Sequence, residues 1–149
     1  TFILADVLTY IIVLLLGTLI MCAVAVFGFG AQFYGNWGLL LLAFLLTTFA
    51  MYAMGYLLAA VAPSVQVANV FGFIVGFILM FLSGATIPME VLPPAVQNIS
   101  RFIPLTYGVK LLKASWLQGS WEGQGLSVGV LLGVALVCTA IAARFWRWE

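Results

Sequence analysis

The stretch Phe81-Leu82-Ser83-Gly84-Ala85-Thr86-Ile87-Pro88-Met89-Glu90-Val91-Leu92-Pro93-Pro94, followed by Phe102-Ile103-Pro104-Leu105-Thr106-Tyr107, decides how this chain folds. It lies between two hydrophobic runs. A span that enters Ser83-Gly84 and meets Pro88 and Pro93 cannot continue as one straight helix. Proline lacks the amide donor, and its ring clashes with the preceding turn. At membrane depth, broken backbone survives only where protein or water satisfies the freed polar groups. Such breaks mark re-entrant elements of transporters and channels. The candidate functional residues of this segment are Ser83, Gly84, Pro88, Glu90, Pro93, Pro104 and Tyr107, expected in short helices that dip back toward the membrane.

Composition sets the class. The chain has 149 residues, of which 66% are hydrophobic and 6% charged, with a mean hydropathy of +1.27. Soluble domains are about 25% charged, so this is an integral membrane protein with lipid as a partner. Its length allows about four spans of roughly 20 residues each. The net charge of +1 gives no reason to expect nucleic acid. Cys22 and Cys138 lie inside apolar runs and read as small packing residues, because no second ligand stands near either for a disulfide or a metal. The chain starts at Thr1-Phe2 without a methionine or a basic leader, which reads as the later part of a longer protein without a signal peptide.

Hydropathy places span one at about Val7 to Phe27, span two at about Leu39 to Val61, span three at about Val67 to Leu82, and span four at about Leu126 to Ala143. The expected fold is an all-α polytopic helical bundle forming a single transmembrane domain over residues 1–149. A re-entrant or interfacial helical segment separates the third and fourth spans. A tight turn is expected from Pro63 to Gln66. Thr106 to Leu117 reads as an amphipathic helix, with Tyr107, Leu111, Leu112 and Ser115-Trp116 on its apolar side and Lys110 and Lys113 beside them. Gly72 and Gly76 in span three, and Gly125, Gly129 and Gly133 in span four, recur every four residues. Such small faces let helices approach closely in lipid, either within the chain or between two copies.

The charges give two opposed topological signals. Arg144 and Arg147 form an anchor that favours a cytoplasmic C-terminus. Arg101, Lys110 and Lys113 lie on the other side of span four and argue the reverse. Four spans put both termini on one side.

Enzymatic chemistry finds few residues to use. No Gly-x-x-x-x-Gly-Lys-Ser/Thr loop is present, so the chain does not bind ATP in that way. With no histidine, zinc-hydrolase motifs and Ser-His-Asp triads are excluded. The four carboxylates, Asp6, Glu90, Glu122 and Glu149, are scattered near span ends and loops. No charge sits in the middle of a span, which weakens a proton-relay reading. Glu90 is either solvated near the headgroups, a partner for Arg101, or a gate residue.

The broken segment resembles that of the permease subunits of type-2 ATP-binding cassette exporters. In that family the fifth span ends in Ser-Gly, with a proline about four residues on, then a Met/Leu-Pro pair, then Pro-Leu-Thr-Tyr before the sixth span. Here these are Ser83-Gly84, Pro88, Leu92-Pro93 and Pro104-Leu105-Thr106-Tyr107. The chain departs from the pattern at Ala5-Asp6, where family members often carry Gly-Lys, and at Lys110, where they often carry an acidic residue. The resemblance implies a non-enzymatic transport subunit in the cell membrane, with two further spans before Thr1 and both termini cytoplasmic. It implies a path formed with a second permease copy, and a separate ATP-binding subunit or domain that holds ATP and Mg, with no cofactor in this chain. The broken segment would shape the exit. The alternative is a four-span scaffold or channel subunit without an ATPase partner.

Overall fold

The computed structural model describes residues 2–145, and these are all-helical apart from turns and loops, with no strand among them. Helix α1 is Phe2–Ala23, α2 is Trp37–Val61, α3 is Val65–Leu82, α4 is Pro94–Ser100, α5 is Pro104–Leu117 and α6 is Gly125–Phe145. Among the described residues, four stretches are long and apolar enough to cross a membrane: Leu4–Gly28, Trp37–Val61, Val65–Leu82 and Gly125–Phe145. These are the four expected spans, each extended at one or both ends. The chain divides into two units, Thr1–Tyr34 and Gly35–Glu149.

The first unit is one span. Helix α1 passes into a wider π-helical turn at Val24–Gly28, closed by the Phe29 amide on the Val24 carbonyl at 3.2 Å. Its threonines return their hydroxyls to their own backbone, Thr9 to the Ala5 carbonyl and Thr18 to the Leu14 carbonyl, each at 2.8 Å. A hydroxyl so paired carries no unmet polar group into lipid.

The second unit is built on α2, α5 and α6. The faces that meet are small. Helix α2 buries Leu40, Ala43, Thr47, Ala50 and Ala53, and α6 buries Ser127, Leu131, Ala135, Cys138 and Ala142. Steps of three and four along both helices make a seam like that of a coiled coil, and alanine at half of its positions brings the backbones close. In lipid such contact is driven by packing rather than by exclusion of water.

Local chemistry sets the ends of these helices. The Asn36 side chain accepts from the Gly38 amide at 2.8 Å and starts α2. Ala62 leaves the helix in extended geometry, as a residue before proline does. Ser64 Oγ then accepts from the Val67 amide at 3.3 Å, so α3 begins at Val65. The turn is therefore Ala62–Ser64, tighter than the expected Pro63 to Gln66, because the serine cap starts the next helix early.

The glycine faces of α3 and α6 are open within the second unit. A Cβ added at Gly72, Gly76, Gly125, Gly129 or Gly133 would meet nothing within 4 Å. The close contact in the second unit belongs to the alanine stripes, which occupy the faces that α2 and α6 turn toward each other. Arg144 lies in the last turn of α6 and is exposed. Arg147, the other half of the expected anchor, lies outside the described residues.

Candidate functional site

Helix α3 is seven residues shorter than α2, about 10 Å at 1.5 Å per residue. The segment after it turns back. Ser83 caps α3, its amide on the Leu79 carbonyl at 3.0 Å and its side chain buried. Ser83 Oγ also accepts from the Ala85 amide at 3.3 Å. Gly84 follows at φ +80°, the left-handed helix-ending conformation that glycine adopts without steric cost. Pro88, extended at φ −54° and ψ 137°, leads into a 3₁₀ turn at Met89–Val91 that carries exposed Glu90. Pro93 precedes α4, Pro94 opens it, and Pro104 opens α5. The prolines stand where their missing amide would have had no helical partner.

Two contacts hold this hairpin of short helices together. Ser100 is fully buried, and its hydroxyl lies within reach of the Leu82 carbonyl at the end of α3 and of the Val96 carbonyl. It supplies a donor to a carbonyl that the broken helix leaves orphaned. The Tyr107 hydroxyl donates to the Arg101 carbonyl at 2.7 Å and fixes the α4–α5 corner. No ion pair joins Glu90 to Arg101 among the described residues, so Glu90 remains an exposed charge.

Helix α5 is packed into the bundle along one face. It buries Thr106, Gly108, Leu111, Ala114 and Ser115 against α2 and α6. At its deep end, Gly108 abuts the side chain of Thr47. At its shallow end, the Trp116 ring meets Trp37 edge-on with centroids 6.4 Å apart, and the Asn36 amide donates to the Ser115 carbonyl at 3.2 Å. Thr47 is ten residues into α2, roughly 15 Å from Trp37 along the axis, which is half of a hydrocarbon core of about 30 Å. The buried face is mostly small or polar, so the reading that chose Tyr107, Leu111, Leu112 and Ser115-Trp116 found Leu111 and Ser115 but not Thr106, Gly108 and Ala114.

The same packing explains two loop glycines. A Cβ at Gly35 would overlap the Ser115 carbonyl. Gly119, at φ +64°, sits over the Gly35 backbone. Trp121 Nε1 donates to Ser115 Oγ at 2.8 Å and closes the return loop.

One polar atom in this site lacks compensation. Thr106 Oγ1, in the first turn of α5, is buried without a hydrogen-bond partner among the described residues. An unmet buried hydroxyl costs about 1–3 kcal/mol. Thr106→Val keeps the branched shape and removes the hydroxyl, so it is expected to raise stability by about 1 kcal/mol, read as a higher melting temperature in detergent.

The arrangement defines a polytopic helical membrane protein in which a broken span and the short helix α5 line one end of a small-residue bundle. A family model described as "ABC-2 family transporter protein" matches residues 1–144, and the chain belongs to that family. It is similar to nodulation protein J of Rhizobium leguminosarum bv. viciae, 31% identical over 115 residues that cover 75% of this chain and 42% of that protein. Nodulation protein J of Rhizobium meliloti (strain 1021) is 31% identical over 107 residues, 70% of this chain and 41% of that protein. The uncharacterized protein YhgE of Bacillus subtilis (strain 168) is 29% identical over 132 residues, 87% of this chain and 16% of that protein. The chain spans less than half the length of these curated relatives. No solved structure matches it.

The chain is thus a multi-pass membrane component of an ABC-2 type transporter family, a family whose members normally work with an ATP-binding subunit.

Proposed function

We propose that this chain is part of the permease of an ATP-driven exporter. Two permease copies or homologues would form the path, and ATP and Mg would be held by a partner ATP-binding subunit or a fused domain, with no cofactor and no catalytic residue in this chain. The observation that carries this reading is the re-entrant helix α5, docked along one half of span α2 beside a span that breaks at Ser83-Gly84. Backbone broken at membrane depth is tolerated where it lines a cavity. Family membership and the similarity to nodulation protein J support it.

In this reading the Ala62–Ser64 turn and both termini face the cytoplasm, the turn near the ATP-binding subunit. The 83–103 segment and α5 face outward and gate the exit. The Arg144 end of α6 agrees with that orientation. The glycine faces of α3 and α6, open within the second unit, suit contact with lipid, with upstream spans or with the second copy.

Orientation is tested by labelling single cysteines with a membrane-impermeant maleimide in a background lacking Cys22 and Cys138. Gln66 and Gln118 are exposed and suit the purpose, whereas Gly35 does not, since a side chain there would strike Ser115. Gln118→Cys is expected to label from outside and Gln66→Cys only from inside; the reverse pattern would invert the protein. Export itself is tested by co-purifying the full-length permease with the ATP-binding subunit and measuring ATPase activity. Failure to form that complex would leave the scaffold reading instead.

A further inference from the structure

A threonine inside a membrane helix commonly satisfies its hydroxyl on its own backbone. Thr9, Thr18, Thr47 and Thr139 all do so, each donating to the carbonyl four residues back at 2.6–2.8 Å. Thr106 does not. It is 2% exposed, and its Oγ1 has no hydrogen-bond partner among the described residues. The cause is local. The carbonyl four residues back belongs to Phe102, which precedes Pro104 and lies outside α5. The Ile103 carbonyl is taken by the Thr106 amide at 3.2 Å.

The place of Thr106 on α5 gives this orphan a consequence. Gly108, two residues on, abuts Thr47 of α2. At about 3.6 residues per turn, two residues are more than half a turn apart, so Thr106 is directed away from α2. Lys110 and Lys113 follow it at steps of four and three, on the same side of the helix, and both are exposed. Thr106 is thus the closed, deep end of a side of α5 that is otherwise open. It lies roughly 3 Å deeper than Gly108, near the middle of the membrane, where lipid offers a hydroxyl no partner.

We propose that Thr106 is the release element of α5. While the first turn of α5 is docked, the hydroxyl is unmet and destabilises that state. When the turn moves toward its open side and a water-filled path forms beside it, the hydroxyl is hydrated. The cost falls on the docked state alone, so Thr106 shifts the ratio of docked to released helix by about tenfold toward release. As a step of the export cycle, this rests on the exporter reading.

The test uses the full-length permease in nanodiscs. Hydrogen exchange of amides 106–109 is followed without nucleotide, because a local opening limits their exchange. ATP turnover is measured in the complex with the ATP-binding subunit. Thr106→Val is expected to slow exchange of these amides about tenfold, to leave exchange in α2 and α6 unchanged, and to lower turnover severalfold. Thr106→Ser keeps the hydroxyl and should match the wild type in both readouts. Faster exchange in Thr106→Val would mean that the hydroxyl is bonded in the docked state, and would overturn the proposal. Slowed exchange with wild-type turnover would overturn it too, leaving Thr106 a merely structural residue. Slowed exchange rescued by serine, in a permease that captures no ATP-binding subunit, would uphold the release element and count against the exporter reading alone.

Discussion

Gly108→Ala should dislodge the re-entrant helix and abolish export at near-normal membrane levels. A Cβ at this position would stand 2.8 Å from Thr47 Oγ1 and closer still to Thr47 Cγ2. Thr47 cannot give way. It is buried in the α2 seam, its hydroxyl is bonded to the Ala43 carbonyl at 2.7 Å, and a β-branched side chain in a helix has one or two usable rotamers. Overpacking of this kind costs about 1–3 kcal/mol, enough to lift α5 from α2 while the four spans remain hydrophobic and inserted. The pair gives its own control. Thr47→Ala removes both crowding atoms, so Gly108→Ala/Thr47→Ala should regain most of the loss, a positive coupling in a double-mutant cycle. The measurement is melting temperature and ATP-dependent transport for the four combinations. Additive losses would mean that Gly108 and Thr47 do not meet.

Gly84→Leu is the second substitution with a large expected effect. At φ +80° an L-residue is disfavoured by roughly 1–2 kcal/mol. Its Cβ would stand 2.9 Å from Met89 Cγ, a flexible chain that can move, so the backbone term dominates and the remaining leucine atoms add bulk. Export should fall far more than membrane level, and Gly84→Asn, which tolerates this backbone, should be milder. Pro88→Leu should cost less than Gly84→Leu, because φ −54° and ψ 137° suit leucine as well. Equal transport by wild type and Gly84→Leu would reduce the segment to a connector.

The sequence carried the large features because they rest on strong local signals. Runs of twenty apolar residues permit only spanning helices, and Ser83-Gly84 with Pro88, Pro93 and Pro104 breaks the chain where the structure breaks it. What stayed hidden depends on partners distant in sequence. Ser100 reads as a surface serine until its hydroxyl is found beside the Leu82 carbonyl. Gly108 carries no φ signature; its need for smallness comes from Thr47, sixty-one positions away. The regular glycine spacing drew attention from the alanines, although Ala43 and Ala50 on α2, with Ala135 and Ala142 on α6, recur at heptad spacing. That period was legible, but alanine is too common in spans to stand out. Leu111 and Ser115 marked part of the side of α5 that packs, and the rest was missed because Thr106 and Gly108 do not score as a hydrophobic face.

The central claim is that α5 is docked in the membrane against the middle of α2 and must move for export. Its most direct test is a cysteine pair, Thr47→Cys/Gly108→Cys, in the full-length permease lacking Cys22 and Cys138. A Cβ at position 108 would lie 3.2 Å from that of Thr47, close to the roughly 3.5–4.5 Å span of a disulfide. Oxidation with a membrane-permeant oxidant is expected to form the bond in most molecules and stop transport, and reduction should restore it. No bond under oxidation would contradict the docking of α5, and wild-type transport with the bond fully formed would contradict its movement as a gate.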